Sequence, residues 1–377
     1  MTRYKLGEIC EIVSGSTPKT GIEEYWDGDA KWITPAEIDD DSYIISDSVR
    51  KITELGVKKT GLSPLPEGTV ILSSRAPIGK VAIAGCEMYC NQGFKNLICS
   101  DIINNRYLYW FLKGNTAYLN SLGRGATFKE ISKQIVSAIE INVPTLAEQK
   151  AAVSQLEKVN EIIRMRGQEL QKLDELVKAR FVELFGDPVA SENKRKLSEI
   201  GRIFTGNTPS MKEPSYYESN DIPFIKPSDL NESGVTNIEG VEAYISEKAR
   251  PVARIIPPNA VLVTCIGTIG KIGITSRESC CNQQINFVVP NDGINSLYLA
   301  YCLTFFKSTL QNIANAPVVP IINKTQFSEL EVPVFDIDKQ NQFAAFVEQT
   351  DKSKVVVQKA LDEAQLLFDS LMQKYFG

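Results

Sequence analysis

The fold of this chain is decided by the stretch from Val153 to Gly186, which reads VSQLEKVNEIIRMRGQELQKLDELVKARFVELFG. Every seventh residue of this stretch is apolar, as in a heptad repeat. These residues are Leu156, Ile163, Leu170, Val177 and Leu184. Glu, Lys, Arg and Gln fill most positions between them. The pattern predicts a long helix over residues 146–186 that packs against a partner helix.

The partner helix is expected in the same chain, over residues 336–377, because that stretch repeats the register at an offset of 191 residues. Its expected packing residues are Val347, Val357, Leu361, Phe368 and Leu371. Both stretches end in Phe-Gly, and a glycine past the last turn is a usual helix stop. We therefore predict that the two helices pack antiparallel as a coiled coil.

Three charged residues, Arg166, Arg180 and Lys354, occupy the predicted apolar seam. Long basic side chains can lay their methylene stems on apolar surface and carry the charge outward. We expect these three to extend out of the seam in this way. The alternatives are that they mark the helix register or lie on a face that meets another protein.

The offset of 191 or 192 also relates the regions that precede the helices. Ser14–Pro18 corresponds to Thr205–Pro209, and Ile78–Ile83 corresponds to Ile269–Ile274. Cys90-Asn91-Gln92 likewise corresponds to Cys281-Asn282-Gln283. A repeat this long indicates two domains rather than a solenoid. We predict a tandem duplication with globular domains at 1–145 and 187–335, each followed by one long helix, and a polar linker at 187–196.

The predicted elements within each half are mixed, so the fold class is α+β. Short apolar runs at 69–72 and 260–263 predict buried strands, and 80–84 and 271–275 predict the next strands, each after a Gly turn. Residues 103–114 and 296–307 are expected to be helices that carry aromatic side chains. Gly and Pro punctuate the remaining segments.

Composition excludes several classes of function. The chain has no histidine, which excludes Ser-His-Asp and Cys-His catalysis, and we predict no catalytic residue and no metal site. The eight cysteines form no Cys-x-x-Cys pair and are expected to be free, mostly buried thiols. No run of about 18 apolar residues and no apolar leader core are present, so we expect a cytoplasmic protein without a membrane span.

The net charge of −5 has the wrong sign for an isolated DNA-binding protein. Binding to DNA would therefore depend on local basic loops or on a basic partner. Several loops do combine hydroxyl, amide and basic side chains, which are the groups that contact phosphates and base edges. The candidates are Ser16, Thr17, Lys19, Thr20, Arg75, Lys80, Asn91, Gln92, Arg124, Thr127 and Lys129 in the first half, and Asn207, Thr208, Ser210, Lys212, Thr268, Lys271, Asn282, Gln283 and Lys324 in the second.

Two of these sets allow a second interpretation. The Gly-Lys turns at Lys80 and Lys271 can aim an ammonium group at a phosphate, or can be plain hairpin turns with a solvated lysine. The Asn-Gln pairs can read adenine, or can fix a local turn. We favour the turn, because two domains that read different sequences need not share base contacts.

The order of these motifs, present twice, resembles the specificity subunit of type I restriction-modification systems. The motifs are Gly-x-Thr-Pro near the domain start, Ile-Gly-Lys before a strand, Asn-Gln soon after, and a proline shortly before the glutamine (Gln149, Gln340) near the start of the long helix. The resemblance covers nearly the whole chain. It implies two target recognition domains, each of which reads one half of a gapped, bipartite double-stranded DNA sequence.

The resemblance also implies partners. The helices would set the distance between the half-sites and dock two methyltransferase subunits, which bind S-adenosylmethionine. A motor-nuclease subunit can join this assembly, and the specificity subunit binds no cofactor. Because the halves diverge between the shared motifs, for instance at 39–59 and 231–250, we expect two different half-sites. The alternatives are the recognition subunit of another bipartite-site system, whose partner fuses methylation and cleavage, and a coiled-coil adaptor that binds no DNA.

Overall fold

The computed structural model describes residues 2–75, 77–125, 129–314 and 319–377. The chain forms two compact units. Unit one contains Met1–Met165 and Leu361–Gly377, and unit two contains Arg166–Ala360. Each unit therefore holds one globular domain together with one part of each long helix. No helix in the described ranges is both long and apolar enough to cross a membrane.

Among its described residues, the globular domain of unit one has ten strands and five short helices. The strands are β1 Thr2–Lys5, β2 Cys10–Ser14, β3 Trp26–Ile33, β4 Ile44–Ile45, β5 Arg50–Ile52, β6 Val70–Leu72, β7 Val81–Ala84, β8 Tyr89–Cys90, β9 Lys95–Cys99 and β10 Glu140–Val143. The helices are α1 Leu6–Ile9, α2 Glu54–Thr60, α3 Asn105–Gly114, α4 Thr116–Ser121 and α5 Lys133–Ser137. Glu23–Tyr25 and Pro35–Glu37 form 3₁₀ turns.

Three sheets organise this domain. The main sheet has the strand order β2-β9-β6-β7-β4, in which the β4–β7 pair is parallel and the other pairs are antiparallel. A smaller sheet has the order β5-β3-β8, and β1 pairs with β10. One face of the main sheet packs against α3, whose buried residues include Tyr107 and Trp110.

The first long helix, α6, spans Leu146–Phe185 and contains 40 residues. It begins at a capping box, since the Thr145 backbone N–H donates to the Glu148 carboxylate at 2.9 Å and the Glu148 N–H donates to the Thr145 hydroxyl at 3.4 Å. It ends at Gly186, whose φ of 72° is the left-handed conformation that terminates helices.

Unit two repeats the same design. Its strands are β11 Lys194–Lys196, β12 Gly201–Thr205, β13 Ile222–Ile225, β14 Val235–Ile238, β15 Tyr244–Ile245, β16 Val261–Thr264, β17 Ile272–Thr275, β18 Cys280–Cys281, β19 Ile285–Pro290 and β20 Glu331–Pro333. Its short helices are α7 Leu197–Ile200, α8 Ser296–Phe305, α9 Lys307–Ile313 and α10 Lys324–Ser328. The second long helix, α11 Ile337–Phe376, follows them, and its part from Leu361 onward belongs to unit one. Pro214–Tyr217, Pro227–Asp229 and Glu247–Ala249 form 3₁₀ turns.

The sheet topology confirms the duplication. The orders β12-β19-β16-β17-β14, β15-β13-β18 and β11-β20 reproduce those of unit one strand for strand. The predicted strands and aromatic helices are present, with ends shifted by one or two residues. The predicted linker at 187–196 is wrong in its last three residues, because Lys194–Lys196 form β11, which pairs antiparallel with β20. A polar sequence does not predict this strand, because its backbone hydrogen bonds are made with residues about 140 positions away.

A buried glutamine ties each long helix to the domain before it. Gln149 accepts a hydrogen bond from the Asn104 N–H at 2.7 Å and donates to the Ile102 and Pro144 carbonyls. Gln340 repeats this with the Asn295 N–H at 2.8 Å. Both glutamines are fully buried. Through these hydrogen bonds each joins the start of a long helix to the N-terminus of the aromatic helix.

In unit one, the start of α6 and the end of α11 pack on the domain core. Leu156 is fully buried beside α3, and Phe368 and Leu371 pack against the same core. The rings of Trp110 and Phe368 meet edge to face at 5.6 Å. The Tyr375 hydroxyl donates to the Gln155 side chain at 2.7 Å. The heptad residues here serve a domain core as well as a helix pair.

In unit two, the end of α6 and the start of α11 run antiparallel, since Phe181 meets Phe343 while Asp174 meets Lys354. Val177 and Val347 are fully buried, Val357 is buried, and Leu184 is half-buried. Phe181, which is outside the predicted heptad set, is the centre of an aromatic cluster. Near the limits of the units, Ile163, Leu170 and Leu361 are half-buried.

The charged residues of the seam differ in their environments. Arg166 and Arg180 pair with Glu169 and Glu183 on their own helix. Lys354 does not extend outward: its ammonium contacts Asp174 at 2.7 Å and Asp351 at 3.3 Å. Burial alone would lower the pKa of Lys354, but the two carboxylates outweigh it and raise that pKa. The expectation of an outward-pointing Lys354 is therefore wrong, because Asp174 on the facing helix binds it.

Candidate nucleic-acid interface

In unit one, the Gly-x-Thr-Pro loop after β2 lies against the turn that holds Asn91 and Gln92. The Ser16 N–H donates to the Cys90 carbonyl at 3.0 Å. A methyl group added at Gly15 would lie 2.0 Å from the Asn91 carbonyl oxygen, so only glycine allows this approach. The Thr17 hydroxyl then donates to the side-chain oxygen of Gln92.

Unit two contains the same arrangement. A methyl group at Gly206 would lie 2.3 Å from the Asn282 carbonyl oxygen. The Thr208 hydroxyl donates to the side-chain oxygen of Gln283 at 2.8 Å. We call the pairs Thr17–Gln92 and Thr208–Gln283 the Thr–Gln clips. Since the side-chain oxygen accepts the bond, the amide nitrogen of each exposed glutamine is left available as a donor, as far as the described residues show.

The asparagines of the Asn-Gln pairs fix the turn. Asn91 accepts a hydrogen bond from the Gly93 N–H at 2.8 Å, and Asn282 accepts one from the Gln284 N–H at 3.1 Å. The structural role favoured from the sequence is therefore confirmed for both asparagines. Asn207 is structural as well, since its amide bonds the Val252 carbonyl and the Arg254 N–H.

Lys80 and Lys271 are not plain solvated lysines of a hairpin turn, because both ammonium groups have partners within their domains. The Lys80 ammonium donates to the Pro35 carbonyl at 3.1 Å, and the Lys271 ammonium donates to the Pro227 carbonyl at 3.2 Å. Lys271 is only 9% exposed and also pairs with Glu232 at 2.8 Å, which lowers the pKa of that carboxyl. Both ammonium groups thus tie the start of a strand to a 3₁₀ turn of the same domain, and Lys80 is half-buried. A phosphate contact by either lysine stays a prediction.

Other candidates remain accessible. Lys19, Thr20, Thr208, Ser210, Lys212, Thr268 and Lys324 are exposed, as are Gln92 and Gln283, while Ser16 and Thr17 are half-buried. The Lys324 ammonium lies 5.7 Å from the centre of the Phe204 ring. Thr127 lies outside the described residues. The exposed hydroxyl, amide and ammonium groups of each domain can donate to phosphate or base-edge oxygens.

Next to its clip, unit one carries a charged edge. The Ser74 N–H donates to the Gly93 carbonyl at 2.7 Å, which holds the strand end against the Asn-Gln turn. Arg75 then forms a β-bridge with Glu130, whose backbone also pairs with Arg124. The carboxylate of Glu130 accepts a bond from Lys95 at 3.2 Å. We call Arg75, Lys95 and Glu130 the bridge edge of unit one, which the exposed Arg124 and Lys129 flank.

The bridge edge of unit two has the same backbone and different side chains. The Cys265 N–H donates to the Gln284 carbonyl at 2.7 Å, and Ile266 forms the β-bridge with Ile321. Asn286 stands where unit one has Lys95, and it accepts a bond from Thr205 at 2.7 Å. Ile321 and Val319 are 45% and 44% exposed. Ile266, Asn286 and Ile321 therefore replace a charged set by a largely apolar one.

Sequence reasoning missed Lys95, Glu130, Ile266 and Ile321. The one available signal was a charged residue, Lys95, next to Asn96 in the stretch from Phe94 to Cys99, whose other residues are apolar. The β-bridges join residues about 55 positions apart, and no local pattern marks such pairs. Only the offset of 191 would have aligned Arg75 with Ile266 and Glu130 with Ile321.

The cysteines belong to the packing of the domains. All eight are free, as predicted, and all except Cys86 and Cys99 are buried. Burial raises the pKa of Cys90 and of Cys265 to about 12, which keeps both thiols protonated and unreactive at neutral pH. Within the described ranges, no group of three or more Cys, Asp or Glu residues is arranged to hold a metal ion.

Fold and site together define a class of protein: a duplicated α+β chain in which each of the two domains presents a similar polar loop platform and is followed by a long helix. A family model described as the type I restriction modification DNA specificity domain matches residues 1–175 and 190–364. The chain belongs to this family, as the resemblance seen in the sequence predicted.

Individual relatives agree with the family match. The MjaIX type I restriction enzyme specificity subunit of Methanocaldococcus jannaschii is 35% identical over 243 residues, which are 59% of this chain and 56% of the relative. The HindI specificity subunit of Haemophilus influenzae is 32% identical over 146 residues, which are 37% of this chain and 30% of that subunit. These alignments thus span less than two thirds of either relative.

A solved structure shares the fold over its full length. The S subunit of a type I restriction-modification system from M. genitalium superimposes with a TM-score of 0.63 at 15% identity. The superposition covers 100% of this chain and 96% of that one. The tandem arrangement of two α+β domains with long helices is therefore a known fold.

Proposed function

We propose that this chain is the DNA sequence-specificity subunit of a type I restriction-modification complex. In this proposal each globular domain reads one half of a gapped, bipartite sequence in double-stranded DNA. The chain supplies recognition and no catalytic group of its own. Chromosomal DNA as the ligand would place the protein in the cytoplasm.

The observation that carries the proposal is the same polar platform, built twice around the Thr–Gln clips. Each clip sits on a glycine loop held against the Asn-Gln turn and exposes an amide donor. Repeated donors of this kind suit the sugar-phosphate backbone, which is the same in every sequence. The side chains beside the clips differ between the units, as two different half-sites would require.

Docking of methyltransferase subunits is the second part of the proposal. The long helices carry apolar side chains that are at least 45% exposed. They are Ile162, Met165, Leu366 and Leu367 in unit one, and Leu176, Val182, Val355 and Val356 in unit two. Exposed apolar positions on a helix suit a partner helix. The methyltransferase subunits would bind S-adenosylmethionine and provide basic surface that offsets the net charge of −5. A motor-nuclease subunit would join for restriction.

The long helices would also act as a spacer between half-sites. A helix of 40 residues extends about 60 Å, and each helix contributes to both units. Lengthening both helices by one turn should change the gap in the target and leave the half-sites unchanged. A variant of this kind that read different bases would contradict the spacer role.

The proposal is tested by mapping methyladenine in cells that express this chain with its cognate methyltransferase. One gapped bipartite motif, lost when this chain is deleted, is the expected result. A purified complex should also lose DNA affinity steeply with salt. A complex that assembles but marks no motif and shows no salt-dependent binding would instead identify the chain as an adaptor.

A further inference from the structure

We infer that the apolar bridge edge of unit two, Ile266 and Ile321 together with Val319, contacts thymine methyl groups in the half-site that this unit reads. The inference rests on the proposed function and assigns specificity to residues that differ between the two domains.

The edge is continuous with the Thr–Gln clip of unit two. Thr208 binds Gln283, and the next residue, Gln284, accepts a hydrogen bond from the Cys265 N–H at 2.7 Å. Ile266 follows Cys265 directly and forms the β-bridge with Ile321. A DNA molecule that accepts a bond from the Gln283 amide would therefore lie beside Ile321.

The chemistry of the edge selects the contact. Ile321 and Val319 are 45% and 44% exposed, and β-branched aliphatic side chains offer nothing to a phosphate. In the major groove the thymine methyl group is the apolar feature of the base edges. The exposed Lys324, three residues beyond Ile321, can contact the neighbouring phosphate. An apolar edge between a basic residue and an amide donor thus suits a thymine in a groove.

Unit one shows the alternative at the same place. Glu130 stands at the position of Ile321, and Arg75 at that of Ile266, with Lys95 bonded to the carboxylate at 3.2 Å. A charged edge gains nothing from a thymine methyl group. Removing the thymine methyl group at this place should therefore weaken binding in the half-site of unit two and should have no effect in that of unit one.

Uracil is the probe, because it is thymine without the methyl group. The target motif is mapped first, and exchange of one domain shows which half-site each unit reads. Duplexes with single thymine-to-uracil replacements are then titrated with the complete complex. At least one replacement in the half-site of unit two should weaken binding about fourfold, the effect of one methyl-sized group removed from contact.

The variant Ile321→Ser should weaken binding to the thymine duplex by at least as much and should abolish the difference between thymine and uracil. Val189→Ser is the matched control, since Val189 is a 42% exposed aliphatic residue of the same unit. It should bind as the unchanged complex does. Half-exposed Ile321 is not a core residue, and a urea titration verifies that the variant is folded.

Two results would overturn the inference. One is that no uracil in the half-site of unit two weakens binding. The other is that Ile321→Ser and the uracil replacement weaken binding independently, so that their effects multiply. Both leave the proposed function intact as long as the complex still binds its motif. Loss of methyltransferase assembly in Ile321→Ser would assign the edge to a protein partner and also refute the inference.

Discussion

The two bridge edges are built on one backbone and carry opposite chemistry. In unit one, Lys95 and Glu130 form an ion pair beside Arg75, whereas unit two has Asn286, Ile321 and Ile266 at these places. The backbone hydrogen bonds that position the edges join equivalent residues and have the same length. The Ser74 N–H donates to the Gly93 carbonyl at 2.7 Å, and the Cys265 N–H donates to the Gln284 carbonyl at 2.7 Å.

In both domains one set of residues holds the loops in place and another set, the bridge edge, carries the side chains that differ. Residues kept in both units hold the loops together: the clip, the glycine beneath it, the inward lysine and the buried glutamine of the long helix. Residues that differ form the bridge edges, where Ile321 is exposed while Lys95 and Asn286 are buried. A change in the shared set should therefore damage folding in either unit, and a change in the edge should alter binding.

The largest effect is expected at a place where the helix packing of the units differs. Phe181 is fully buried among Tyr298, Phe305 and Phe343, and Met372 at the matching position of unit one is half-buried. Phe181→Ala should lower the free energy of unfolding by about 4 kcal/mol, because it leaves a cavity in the core. Met372→Ala should cost less than half as much. Urea denaturation measures both, and equal losses would remove the difference between the units.

The clip glycines should come next. In Gly206→Ala the new methyl group would meet the Asn282 carbonyl oxygen at 2.3 Å, and in Gly15→Ala it would meet that of Asn91 at 2.0 Å. Each should destabilise the protein by about 3 kcal/mol and weaken DNA binding, since the loop must move. Gly240→Ala and Gly21→Ala are the controls, because no atom lies within 4 Å of the added group. Native stability in the clip variants would show that the loops are not fixed as described.

The inward lysine separates a structural role from a phosphate contact. Lys271→Met removes the bonds to Pro227 and Glu232 and should cost about 2 kcal/mol of stability. The dependence of DNA affinity on salt should not change. For the exposed Lys324→Met we expect native stability and a salt slope reduced by about one. A reduced slope in Lys271→Met would mean that this lysine reaches DNA after all.

The smallest effect is expected from converting one edge into the other. Glu130→Ile leaves Lys95, whose side chain is 9% exposed, without its carboxylate. The cost should be only about 1 kcal/mol, because Glu130 itself is 41% exposed and the pair is partly screened by solvent. Adding Lys95→Asn reproduces the pair that unit two has at these positions, Asn286 and Ile321, and should restore part of this loss. A double-mutant cycle by urea denaturation measures the coupling, and additive losses would contradict it.

Much of the fold was predictable from the sequence, because the heptad spacing and the repeat at an offset of 191 are patterns along the chain. The same patterns do not reveal which distant segments contact each other. The inward Lys80 and Lys271, the strand at Lys194–Lys196 and the ion pair of Lys354 all depend on partners that folding brings together.

The candidate site was predicted only in part. Loops with hydroxyl and amide groups were found because their composition is unusual and occurs twice. The partner of each residue was not, since Thr17 and Gln92 are 75 residues apart, as are Thr208 and Gln283. The bridge edges were missed because isoleucine in an apolar stretch looks like a core residue until its exposure is known.

The central claim, that each domain reads its own half-site, is tested most directly by a domain exchange. Residues 1–143 are replaced by the corresponding domain of another family member, and methyladenine is mapped in cells that also express the methyltransferase. We predict a new motif in which one half changes while the other half is kept. A motif that stays the same, or one in which both halves change, would contradict the claim.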